Sequence, residues 1–198
     1  METCQFACED VQHVCHFPQI DPRLCDGIRM VMISEAFPAN TGDYFDGGPE
    51  SKFIQNTNTI FNQLGYPYKT FEDYLKNGIY LTTAIKCIKK DYLVVSKTIE
   101  NCSTLLEKEL ERFPHVRVMM LMGDFAIKAV NQIWKRKYKT RVIPAGSTYK
   151  IRKETFESNG VRFFPSYTQT GDSFGIEKVK VEMITDDVKR AMQVLESA

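Results

Sequence analysis

Three short apolar runs with no polar face constrain this chain more than any other feature. They are residues 28–34 (IRMVMIS), 79–86 (IYLTTAIK) and 116–122 (VRVMMLM). None approaches the roughly 20 residues of a membrane span. None alternates as a strand with one wet face does, so each reads as a strand covered on both sides, the habit of a parallel sheet between helices. Residues 161–164 (VRFF), after Gly160, read as a fourth.

Helical patterns fill the gaps. Residues 53–64 carry apolar side chains at 53, 54, 60, 61 and 64 and stop at Gly65. Ser96 is a candidate N-cap for a stripe of Ile99, Cys102, Leu105, Leu106 and Leu110, which Pro114 ends. Gly123-Asp124 leads into FAIKAVNQIW, and residues 184–195 close the chain, with Asp186 and Asp187 suited to the positive end of that helix. The alternation predicts an α/β fold, a mainly parallel sheet sandwiched between helices, with function at the strand carboxyl ends. No repeat or break in composition divides it, so 1–198 reads as a single domain, with 1–27 an irregular N-terminal cysteine-bearing segment.

A net charge of +1 gives no global attraction to nucleic acid or acidic lipid, so any polyanion site must be a local patch. Lys86, Lys89 and Lys90, and the run of Lys135, Arg136, Lys137, Lys139 and Arg141, are the candidates; the plainer reading is a solvated face. METCQFACEDVQH has neither a basic nor an apolar leader region, so a cytoplasmic monomer is expected. Thiols stay reduced there, and the six cysteines read as metal ligands or core thiols rather than disulfides. No Gly-x-Ser-x-Gly or phosphate-loop motif points to a small hydrolase of another kind, and His13, His16 and His115 fall in no ligand spacing. The loop over residues 35–51, with two prolines and three glycines directly after a buried strand, lies where open sheets place ligands.

Read in order, ISEAFP (33–38), FIQNTNTIFNQL (53–64), TTAIKC with ENCSTLLEKEL (82–87 and 100–110), VRVMMLMGDFAIKAV (116–130) and FPSY (164–167) resemble the uracil-DNA glycosylase superfamily, most closely its iron–sulfur-containing branch. The resemblance implies a three-layer α/β/α sandwich around a central four-stranded mainly parallel sheet. It implies DNA as partner, with a base flipped out and its N-glycosidic bond hydrolysed. Glu35, Asn40 and Asp43 become candidates to position a water or stabilise an oxocarbenium-like sugar, against ordinary turn chemistry. Phe53 matches the base-stacking aromatic, Thr83 the base-reading position, and Phe164 the late histidine. Ser166 and Tyr167 are candidates to grip DNA, with Gln169, Thr170 and Ser173 as further phosphate contacts.

The resemblance also assigns Cys4, Cys8, Cys87 and Cys102 to a 4Fe-4S cluster, with Cys15 able to replace one of the first two, zinc the alternative metal and Cys25 structural. Beside Ser34 in place of a glycine and Phe37 inserted or substituted before Pro38, two departures from the family pattern bear on the chemistry. Thr83 stands for an asparagine and offers one hydroxyl instead of a paired donor and acceptor. Phe164 stands for a histidine and donates nothing to a departing base. Both departures set uracil excision itself against two other outcomes, excision of a different damaged base or a member of the fold that binds nucleic acid without excising.

Overall fold

The computed structural model describes residues 4–171 and 174–197, so Ser173 lies outside it. Its strands are β1 (Val11–Cys15), β2 (Met30–Phe37), β3 (Ile79–Lys89), β4 (Val118–Met122), β5 (Phe156–Ser158) and β6 (Val161–Ser166). Its helices are α1 (Lys52–Gln63), α2 (Phe71–Lys76), α3 (Ser96–Leu110), α4 (Asp124–Tyr138), α5 (Thr148–Ile151) and α6 (Lys178–Glu196). No helix among the described residues is long and apolar enough to cross a membrane.

The α/β/α sandwich is as expected, but its sheet has six strands rather than four, in the order β1-β3-β2-β4-β6-β5. The central four run parallel, with Met30 opposite both Ile79 and Val118. The two extra strands are antiparallel edges. Hydrophobicity could not mark either of them. β1 is mostly exposed, and β5 forms a short hairpin with β6 through Asn159-Gly160, both with positive φ as a two-residue hairpin turn requires. Within residues 1–27, Val11–Cys15 therefore run along β3.

α4 packs on β2, β3 and β4 with α3 beside it, while α6 covers β4 and β6 and holds α1. Ser51 caps α1 by accepting the Ile54 amide at 3.3 Å. Ser96 does not cap α3. Asp10, reaching over from the N-terminal segment, takes the Val95 amide at 2.7 Å and the Thr98 hydroxyl at 2.5 Å. α6 starts at Lys178, earlier than its apolar stripe suggests, because its first turns are largely solvent-exposed. Asp186 and Asp187 consequently lie mid-helix and have no dipole role. Asp187 is instead buried, accepting from Arg152 at 3.0 Å and from Ser166 at 2.7 Å.

Candidate functional site

The loop after β2 and the end of β3 enclose a cleft of about 450 Å³, and Glu35, Asn40, Asp43 and Phe53 all line it. Phe37 sits at a β-bulge: Ala36 pairs with Ile85 but Phe37 with Ile88, so Lys86 and Cys87 of β3 have no partner on β2. The bulge ends the regular pairing of β2 with β3 and starts the loop.

Glu35 is held on the cleft wall by backbone amides. Its Oε1 accepts the amide of Asp124 at 3.1 Å, and the amide of Phe125 adds a second donor at the positive start of α4. Gly123, at φ +108°, makes the approach possible, since a Cβ there would lie 2.6 Å from the Glu35 carboxylate. Burial raises the Glu35 pKa above its usual value, while the Lys89 ammonium and the two amides restrain the rise.

Asn40 and Asp43 perform turn chemistry and line the cleft as well. Asn40 accepts the Gly42 amide at 3.3 Å, and the Asp43 carbonyl accepts the Ser51 hydroxyl at 2.8 Å. Phe53 is 6% exposed and packs on Phe45 at 5.3 Å and Tyr44 at 6.0 Å.

The other expected base contacts do not join Phe53 on the cleft wall. Thr83 is fully buried, its hydroxyl paired with that of Tyr44 at 3.1 Å. Phe164 is buried between the guanidinium groups of Arg162 and Arg190, at 5.8 and 5.7 Å. Ser166 is occupied by Asp187, and Tyr167 lies under the Lys180 ammonium at 5.8 Å. Thr170 lines the cleft, whereas Gln169 is buried and accepts from Ser34 at 3.2 Å.

The basic candidates separate in the same way. Lys86 is fully buried and bonded to Thr82 at 2.7 Å and to Glu109, which rules it out as a phosphate contact. Lys89 lines the cleft, its ammonium 5.5 Å from the Tyr92 ring and 5.2 Å from Phe125. In the 135–141 run, Arg136 binds Glu107 at 2.9 Å and Lys137 binds Glu111 at 2.8 Å, so part of that charge is matched. Sequence spacing missed His16, which pairs with Asp46 at 2.8 Å and stacks on Phe37, and Tyr44, the hub of the aromatic cluster beside Phe53.

Cys4, Cys15 and Cys87 bring their sulfurs within 4.8 Å of one another. β1 sets Cys15 opposite Cys87, and the two form a disulfide of 2.16 Å, contrary to the expectation of reduced thiols. Cys8 accepts from Asn101 at 3.4 Å. Cys102 is buried; burial pushes its thiol up to about 11, the main chain of Lys86 opposes this, and nearby Cys4 and Cys8 reinforce it. The ligand set implied by resemblance, Cys4, Cys8, Cys87 and Cys102, thus converges on one locality that also contains Cys15. Cys25 is separate, beside Arg112 at 3.9 Å. A donor set made of thiols alone is soft, matching iron–sulfur or zinc rather than a hard cation.

A family model described as the uracil DNA glycosylase superfamily matches residues 22–171, which span the cleft, Cys87 of β3 and Cys102 of α3. Cys4, Cys8 and Cys15 precede the match. A type-5 uracil-DNA glycosylase of Pyrobaculum aerophilum is 23% identical over 156 residues, covering 76% of this chain and 63% of that protein. The chain therefore spans less than two thirds of the length of that relative. With the family pattern running through β2, the cleft loop, β3, α4 and β6, the chain belongs to the uracil DNA glycosylase superfamily.

Proposed function

We propose that this chain binds DNA as a cytoplasmic monomer and hydrolyses the N-glycosidic bond of a damaged base flipped into the cleft. The observation that carries the reading is Glu35, a desolvated carboxylate fixed at the start of α4 on the wall of a cleft at the strand carboxyl ends. The base stacks on Phe53. As the C1′–N bond breaks, its electron pair leaves with the base and the sugar becomes oxocarbenium-like. The Glu35 carboxylate stabilises that cation, orients a water and takes its proton as the new C1′–O bond forms. Asn40 and Asp43 hold the water's approach. Thr83 and Phe164 offer neither a paired amide nor a donor for a departing anion, so the substrate is a damaged base not restricted to uracil.

The burial and prior commitments of Thr83, Phe164 and Ser166 favour a second reading, nucleic-acid binding without excision. Oligonucleotides carrying uracil, hypoxanthine, xanthine or oxidised bases separate the two. Turnover on one of them supports excision, binding with no cleavage supports the second reading, and neither rejects both.

Cys4, Cys8, Cys87 and Cys102 are the thiols assigned to a 4Fe-4S cluster, with Cys15 the substitute for one of the first two. Bound there, the cluster would cross-link the N-terminal segment to β3 and α3. Cys87 cannot serve the cluster and the Cys15 disulfide together, so loading requires prior thiol reduction. Anaerobic reconstitution with iron and sulfide is expected to give a brown protein after reduction and a colourless one without it. Cys87→Ala should stay colourless under both conditions. A colourless reduced wild type that takes up zinc would replace the cluster with zinc, and uptake of neither metal would end the assignment.

A further inference from the structure

We infer that Tyr92 and Leu93 form a stacking ridge for the bases that flank the nucleotide held in the cleft, an inference resting on the DNA reading above. The two side chains are 87% and 74% exposed. Single exposed apolar residues are ordinary. This pair differs in being adjacent, at the mouth of the cleft and on a braced loop. Tyr92 itself lines the cleft, so one residue reaches from the site to the surface.

The bracing is extensive. β1 pairs Val11 with Lys89, the Lys90 amide bonds the Asp10 carbonyl at 3.0 Å, and the Lys89 ammonium donates to the Tyr92 carbonyl at 3.3 Å. On the far side, Asp10 holds the Val95 amide at 2.7 Å. A ridge held in this way loses little further freedom when it meets a partner.

Its surroundings indicate which partner. Lys89 lies 5.5 Å from the Tyr92 ring. Lys180 interacts with both Tyr92 and Tyr167, and Ile176 and Val179 are exposed near it in sequence, at 77% and 60%. Exposed rings interleaved with ammonium groups match a nucleic acid strand, whose bases stack on the rings while its phosphates meet the cations. Among the described residues, Asp91 is a carboxylate of the ridge itself, and Glu177 pairs with Lys180 at 2.6 Å.

The test uses the full chain and a duplex carrying a tetrahydrofuran abasic analogue beside 2-aminopurine, whose fluorescence reports stacking. Wild type should change that fluorescence on binding. Tyr92→Ala should weaken binding roughly tenfold or more and lose the change, consistent with the usual value of a base–aromatic stack. Tyr92→Trp should restore both. Tyr149→Ala, at another exposed ring (67%), serves as the control and should behave as wild type. The salt dependence should be nearly the same in Tyr92→Ala as in wild type, because no phosphate contact is removed. A Tyr92→Ala/Leu93→Ala variant that melts and binds like wild type, with the fluorescence change intact, refutes the ridge and leaves the DNA reading standing. A wild type that binds no DNA at low salt refutes both.

Discussion

Glu35→Gln is expected to lower excision by about 10²–10⁴-fold, the usual contribution of a positioned acid–base group, with DNA affinity little changed. The amide keeps the shape and the acceptor facing Asp124 but can neither take a proton nor balance a cationic sugar. The wild-type pH profile provides an independent check. Only the carboxylate form acts, and burial raises the pKa of Glu35 above the ordinary 4.5, so the rising limb of activity should lie to the alkaline side of that value and vanish in Glu35→Gln. The same shift has a consequence for stability with a definite sign. The folded state holds this proton more tightly than the unfolded chain does, so Glu35 favours folding below pH 4.5 and that contribution is lost as pH rises through the higher folded value. Gly123→Ala should reproduce part of the activity loss with the carboxylate intact. Its methyl would occupy the space of Glu35 at a φ of +108°, costing on the order of 1–3 kcal/mol. Equal turnover in Glu35→Gln and wild type would remove Glu35 from the mechanism.

Lys86→Met should destabilise the fold by about 3–5 kcal/mol in urea unfolding, more than any surface lysine. Lys86 and Glu109 join β3 to α3 inside the protein, and the carboxylate also accepts from Tyr80 at 2.7 Å and Thr82 at 2.9 Å. Removing the ammonium leaves a buried anion with only neutral donors. Lys86→Met combined with Glu109→Gln should therefore recover part of the loss, because no unmatched charge remains. If Lys86→Met unfolds at the wild-type midpoint, the pair is not the cross-link described.

The central sheet was legible because three runs had no polar face, and β2, β3 and β4 arose from those runs. The edges were not legible. β1 pairs through its backbone, which leaves no mark in side-chain hydropathy, and β5 depends on a two-residue turn. Lys86 was misread because lysine in a strand suggests solvent, and its partner Glu109 lies on a different element. At the site, Glu35, Asn40, Asp43 and Phe53 came to line one cleft because the long connection over residues 38–51 is pinned by its own turns, Asn40 accepting the Gly42 amide and Ser51 bonding the Asp43 carbonyl. The late motif did not: Phe164 and Ser166 point to partners on α6, whose start the sequence pattern misplaced. Thr83 was legible as a departure, but its commitment to Tyr44 depends on how the loop folds back.

Asp10 ties the head of the chain to a helix start far along it, across sequence separations of 85 and 88 residues. Those bonds need β3 and the start of α3 in place, so the arm that carries Cys4, Cys8 and Cys15 is fixed by elements that lie far along the chain. In a growing polypeptide, Cys4, Cys8 and Cys15 leave the ribosome long before Cys87 and Cys102. On the cluster assignment proposed above, a full ligand set would therefore exist only once β3 and α3 have been made, not at the emergence of the first cysteines.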